Sequence, residues 1–151
     1  AGRKGFSTIN IEKAMMNNEK GFCMKVLKVL YDNDLSFEHM PSGIDTMSIT
    51  LDSAQLEPIR DKVVAEIRKA VEPDHIEIED GIATIAVVGR RMKNTRGTVA
   101  RIFAAMAHAR INVKLIDQGS SELNVIIGGS ESDFAEAIRR IYDMFINSEK
   151  E

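Results

Sequence analysis

Slid against itself by 76 positions, the chain brings like segments into register without a gap: Met16 falls on Met92, Thr8 and Ile9 on Thr84 and Ile85, Asn18 on Asn94, Gly21 on Gly97 and Gly43 on Gly119. The apolar pattern says more than these few identities. Leu27, Leu35, Phe37, Met47, Ile49 and Leu51 meet Phe103, Ile111, Val113, Leu123, Val125 and Ile127. Two copies of one supersecondary unit explain this most economically, and twice 76 is one more than the chain's 151 residues.

Each copy reads by hydrophobic period. Phe6 to Met15 and Ile82 to Val88 are β-branched runs, expected as first strands. Gly21 to Asp32 and Thr98 to Ala109 carry apolar residues at spacings of three and four, expected as amphipathic helices. Ser36 to Met40 and Met47 to Leu51 predict two more strands around the turn 41–45. Asn112 to Ile116 and Leu123 to Ile127 repeat them around 118–121. A second helix follows in each, Ser53 to Ala70, capped by Ser53 or Asp52, and Glu131 to Phe145. Copy one adds His75 to Glu79 as a fourth strand, leading through a hairpin-type Asp80-Gly81 turn into copy two.

The fold class is therefore α+β, two ferredoxin-like βαββαβ domains in tandem, 1–80 and 81–151, the second lacking its last strand within the chain. A partner chain, the N-terminal arm or a segment outside this sequence is expected to cover that edge. Ala1 in place of an initiating Met suggests that a longer protein was cut.

Composition narrows the function. Twenty Lys and Arg against 23 Asp and Glu leave a net charge of -3, which gives no global electrostatic reason to expect a polyanion partner. The strands 47–51 and 123–127 also lack the aromatic residues on which an RNA-binding sheet stacks bases. No apolar run approaches the roughly 20 residues of a membrane span. A single cysteine, Cys23, with eight Met, fits a reducing, cytoplasmic setting. CxxC, HExxH, phosphate-loop and GxGxxG patterns are absent, so neither metal nor cofactor is expected in this chain. His39, His75 and His108 stand alone and read as structural or surface residues.

What remains is a binding loop. In copy one the run 16–23 passes from strand to helix, and a helix N-terminus presents N–H groups that suit a carboxylate. If Glu38 on the next strand lies near that loop, the pair suits an amino acid, with Glu19 offered to a second ammonium. In copy two Thr95, Arg96 and Lys114 replace Glu19, Lys20 and Glu38, so copy one is expected to bind and copy two to complete the assembly. The same residues read equally as structure: Gly21 and Gly97 as helix-start spacers, Glu38 and Lys114 as exposed strand residues, Met16 and Met92 as core, Cys23 as packing.

Ile9-Asn10-Ile11, Met15-Met16-Asn17, Gly21-Phe22, the run from Leu35 through Pro41-Ser42-Gly43-Ile44-Asp45, Asn94-Thr95-Arg96-Gly97-Thr98 and Gln118-Gly119-Ser120-Ser121-Glu122 closely resemble the regulatory region of bacterial aspartokinase. The resemblance covers nearly the whole chain and implies tandem ACT domains that pair between subunits and bind an end-product amino acid. Carried over by position, it implies an effector site at Met16, Glu19, Gly21, Phe22, Cys23, Ser36, Phe37, Glu38 and Gly43, with second-copy contacts at Asn112, Val113 and Gln118. Lysine is the effector it favours and threonine the alternative; a structural dimerisation module without ligand is the rival. Lysine-responsive members often carry serine at the positions of Glu19 and Gly43 and aspartate at that of Glu38. The expected partners are a second copy and the aspartokinase catalytic domain. That kinase domain, with its ATP and Mg, has no counterpart in these residues, so no catalysis is expected of this chain alone. An excised regulatory fragment is preferred over a separate regulatory subunit.

Overall fold

The computed structural model describes residues 2–88, 97–118 and 124–149. The chain divides into two compact units, Gly5–Asp80 and Gly81–Glu151 together with Ala1–Lys4. Its elements are β1 (Gly2–Glu12), α1 (Phe22–Asp32), β2 (Thr46–Asp52), the single turn α2 (Ser53–Leu56), α3 (Arg60–Val71), β3 (His75–Val88), α4 (Thr98–His108), β4 (Val113–Gln118), β5 (Asn124–Ser130) and α5 (Phe134–Glu149).

In the first unit the strand order is β2-β1-β3. Antiparallel pairing sets Ile9 against Ile49 and Ile11 against Met47, so alternate side chains of both strands enter one core. Phe22, Val26, Val29 and Leu30 of α1 and Val63, Ile67 and Val71 of α3 meet them there, all buried. The intervening positions are polar: Ser48 Oγ donates to Asn10 Oδ1 at 2.8 Å. The second unit repeats the plan in the order β3-β5-β4. Ile85 and Val87 pair with Ile127 and Val125 and pack with Ile102, Met106, Ala137 and Ile141.

The repeat is also written into the backbone. Positive φ recurs at three pairs of positions 76 apart: Gly5 and Gly81 (86° and 69°), Gly21 and Gly97 (75° and 79°), and Asp34 and Arg110 (55° and 58°). Matching side-chain patterns thus accompany matching turns.

Several elements differ from the sequence reading, each for a local reason. The expected strand 36–40 is reduced to isolated bridges, His39 with Thr50 and Ser42 with Met47. Both Glu38 N–H (2.8 Å) and His39 N–H (3.5 Å) point at the Thr50 carbonyl, a two-against-one bulge, and Pro41 has no N–H to give. Pro58 breaks the expected helix 53–70 into a turn, a short 3-10 segment (Glu57–Ile59) and α3, while Asp52 caps the start by accepting from the Ala54 N–H at 2.9 Å. The first strand ends at Glu12, before the predicted 15. The predicted strand 112–116 begins one residue later and runs to Gln118, and the described part of the predicted strand 123–127 belongs to β5, which runs to Ser130. No hairpin forms at Asp80-Gly81: the two expected strands are one 14-residue strand, β3.

The expected gap in the second copy is met by the N-terminal arm. The head of β1 groups with that unit, where Gly2 sits so close to the Phe134 ring that a Cβ has no room and Lys4 Nζ lies 5.0 Å from the ring centroid. Met92, Asn94, Thr95 and Arg96 and the string 119–123 lie outside the described residues.

Ile67 has no exposed surface and sits at the centre of the first core. Replacing it by Ala is expected to lower stability by about 2–5 kcal/mol, counting lost transfer energy and the cavity left behind. Urea unfolding followed by circular dichroism measures this; a loss under about 1 kcal/mol would contradict the core assignment.

Candidate functional site

The loop between β1 and α1 is shaped by the turn that precedes β2. Met15 takes a left-handed conformation, and a 3-10 turn covers Met16–Asn18. The Met15 N–H donates to Asp45 Oδ1 at 2.9 Å, the Lys13 N–H to the Asp45 carbonyl at 2.9 Å and the Asn17 N–H to the Ile44 carbonyl at 3.2 Å. Asp45 therefore ties two loops together with its side chain and its backbone. In the sequence it is only a turn-forming residue type, which gives no sign of the tie.

Gly21 is the N-cap of α1, held at φ 75°, and no side chain caps the helix. The Phe22 N–H at the start of the helix donates to the Glu19 carbonyl of the loop at 3.3 Å. Met16 and Phe22 are buried in the core, and Cys23 is partly buried against it. These three shape the floor of the loop. Gly43 closes the neighbouring turn, its N–H donating to the Thr46 carbonyl at 2.8 Å.

Glu19 is already paired. Its carboxylate lies 3.0 Å from Lys13 Nζ and 3.2 Å from Lys25 Nζ. Lys13 Nζ also donates to the Val71 carbonyl at 2.5 Å, which anchors the ammonium beside the Glu19 carboxylate. The Lys13 ammonium is the largest influence and holds the Glu19 carboxyl below its ordinary range; burial comes next and opposes it, and Lys25 adds to the lowering.

Ser36, Phe37 and Glu38 stand elsewhere in the unit. The Ser36 N–H and hydroxyl both donate to Gln55 Oε1, at 2.9 and 3.2 Å, and Gln55 Nε2 returns a bond to the Ser36 carbonyl at 3.1 Å. Phe37 is 43% exposed and Glu38 is exposed. Glu38 is bonded opposite Thr50, whereas the loop adjoins the other end of β2, at Thr46. Four strand residues separate these points, roughly 13 Å at the rise of a β-strand. The structure thus brings Met16, Glu19, Gly21, Phe22, Cys23 and Gly43 together and keeps Ser36, Phe37 and Glu38 of the same chain apart from them.

In the second unit Asn112 is exposed just ahead of β4, Val113 opens that strand opposite Gly129 and Gln118 ends it opposite Val125. Val113 and Gln118 therefore lie at opposite ends of one strand. Among the described residues no group of three or more His, Cys, Asp and Glu could hold a metal ion, and no helix is long and apolar enough to cross a membrane.

This architecture has known relatives. The ACT domain family matches residues 85–145. Aspartokinase 3 of Bacillus subtilis is 36% identical over 146 residues, covering 96% of this chain and 32% of its own. The crystal structure of Clostridium acetobutylicum aspartate kinase superposes with a TM-score of 0.93 at 46% identity, covering 96% of this chain and 34% of that one. This chain belongs with the ACT-domain regulatory regions of the aspartokinases. It spans about a third of the length of these two relatives. Escherichia coli aspartokinase III, in complex with lysine and aspartate, shares the ACT fold at 18% identity, with a TM-score of 0.73, covering 95% of this chain and 32% of that one.

The Glu19 pairing makes a prediction with a definite sign. A carboxyl whose pKa is depressed in the folded state adds stability above its unfolded pKa and loses it as the pH falls through the folded value. Glu19→Gln is therefore expected to lower the melting temperature at pH 7 and to match wild type near pH 2–3. Thermal unfolding of both proteins across that range checks this; a deficit that is independent of pH would rule the pairing out as its source.

Proposed function

We propose that this chain is the amino-acid-sensing region of an aspartokinase, with lysine as effector bound between the first units of two copies. The separation of the two residue clusters carries the reading. One copy offers a helix N-terminus without a side-chain cap, beside Gly21 and Gly43, suited to an α-carboxylate, and the other offers the exposed Glu38 for an ammonium group. The halves lie at opposite ends of β2 within a chain, so a second copy in antiparallel partnership supplies what the first lacks. The Clostridium relative is described as an allosteric enzyme and the Escherichia coli one was crystallised with lysine, which supports a sensor and this effector. In the whole protein a catalytic domain would phosphorylate aspartate with ATP and Mg, and effector binding would favour the arrangement of regulatory units that holds it inactive.

One observation favours threonine instead. Glu19, the acid closest to the loop, is shared by Lys13 and Lys25, which leaves less of its charge for the side-chain ammonium of a bound lysine.

Calorimetry and thermal shift against the protein amino acids decide between them. Lysine is expected to raise the melting temperature, and Glu38→Lys to weaken its binding at least tenfold, about 1.4 kcal/mol. Stabilisation by threonine alone would transfer the site to that ligand, and no response to any amino acid would leave a structural pairing module. Mixing Glu38→Lys with Gly21→Val, each weakened alone, is expected to restore full-affinity binding at about a quarter of the sites, because half of randomly formed dimers carry one intact site of two. No restoration would place the site within a single copy.

A further inference from the structure

A left-handed backbone at a methionine needs support from elsewhere. Met15 has φ 59° and ψ 31°, a region that L residues with a Cβ enter at a cost. Two carboxylates distant in sequence hold the chain there. The Met15 N–H donates to Asp45 Oδ1 at 2.9 Å, and the Ala14 N–H just before it donates to Asp74 Oδ2 at 2.8 Å. Asp45 stands immediately ahead of β2 and Asp74 immediately ahead of β3. Each acid is fixed by a backbone bond of its own. The Asp45 carbonyl accepts from the Lys13 N–H, and the Asp74 N–H donates to the Glu12 carbonyl, both at 2.9 Å.

From Met15 the order passes down the loop. The Met16 N–H donates to the Lys13 carbonyl at 3.2 Å, the Asn17 N–H to the Ile44 carbonyl at 3.2 Å, the Asn18 N–H to the Met15 carbonyl at 3.0 Å and the Glu19 N–H to the Met16 carbonyl at 3.1 Å. Every backbone N–H from Lys13 through Glu19 is therefore bonded within the first unit. The Glu19 carbonyl then accepts from the Phe22 N–H, which joins the loop to the start of α1. An ordinary negative φ at Met15 would send the chain from β1 in another direction, and the 3-10 turn and Gly21 would not follow in their places. By the repeat, the second copy has Arg91, Ser121 and Lys150 where the first has Met15, Asp45 and Asp74. Both acids are thus peculiar to the copy for which binding is proposed.

We propose that Asp45 is a positioning residue of the effector site, with Asp74 as its second support: its carboxylate holds Met15 left-handed and so sets the loop in its binding form before an effector arrives. Asp45 acts through Met15 and the loop rather than through contact with the ligand. This role rests on the loop being an amino-acid site, and it adds the residue that sets the affinity of that site.

Hydrogen exchange followed by NMR on the full chain tests the hold on the loop without any effector. The Ala14 and Met15 amides are expected to exchange at least about tenfold more slowly than in an unfolded chain, and Asp45→Ala to remove the protection of Met15. Calorimetry with lysine and with threonine, well below the melting temperature of each variant, tests the effect on binding. Asp45→Ala is expected to weaken binding at least about tenfold. Asp45→Asn, whose amide oxygen still accepts from the Met15 N–H, is expected to stay within about threefold of wild type. Adding Met15→Gly to Asp45→Ala is expected to recover most of the loss, since glycine enters positive φ without help. Ile67→Ala, which costs stability in the core, is expected to leave the affinity unchanged, so a loss in Asp45→Ala is not a loss of folding. Should Asp45→Ala fail to fold, Met15→Val, β-branched and averse to positive φ, is expected to show the same weakening. Wild-type affinity in Asp45→Ala or in Met15→Val, or an Asn variant as weak as the Ala one, would overturn the positioning role alone. Failure of the wild-type chain to bind any amino acid would remove the sensor reading and this role with it, even with the Met15 amide protected.

Discussion

The architecture depends on how the edge of each unit's first strand is satisfied. A β-α-β-β-α unit leaves one side of that strand with unpaired N–H and C=O groups, and burying them unbonded is costly. The chain meets this need with two long strands. Residues 75–80 of β3 complete the first unit before β3 becomes the opening strand of the second, and the head of β1 joins the second unit before β1 opens the first. Each 76-residue repeat consequently closes its sheet with a strand segment that lies just ahead of the other repeat's opening strand. Losing either segment would bare the edge beside a core strand, so the two repeats depend on one another for backbone hydrogen bonding even though each has its own hydrophobic core.

Built on one plan, the units have diverged at individual positions. Both begin their first helix at a left-handed glycine, Gly21 and Gly97. On the sheet face away from the helices, Asn10 and Glu12 in β1 correspond by the repeat to Ala86 and Val88 in β3, and Val88 is 71% exposed. Glu38 of the first copy corresponds to Lys114 of the second, which reverses the charge offered to an ammonium group.

The loop 13–21 owes its form to the Asp45 tie and to the Lys13–Glu19–Lys25 group. The buried Met16 and Phe22 couple that loop to the packing beneath it. A ligand that reorganised these ion pairs would be felt at the base of α1, and from there in the core shared with α3. In the same unit the Ser7 hydroxyl and Arg60 Nη2 both donate to Asp80 Oδ1, each at 2.6 Å.

The amino-acid sequence by itself determined the repeat, the α+β class, the helices and most strands, because side-chain period and apolar spacing are local properties that burial then enforces. It also placed Gly21, Met16 and Phe22 at one loop. Tertiary structure alone decided the rest. Whether Asp80-Gly81 turns or continues depends on what lies beside it, and a neighbouring β1 makes continuation into one strand the better-bonded choice. Spacing likewise could not show that Glu19 is already neutralised by two lysines, one of them anchored at the far end of α3, or that Ser36 is claimed by Gln55. Those partnerships join residues from different elements, and the distance between Glu38 and the loop is set by the antiparallel course of β2, which no local pattern encodes.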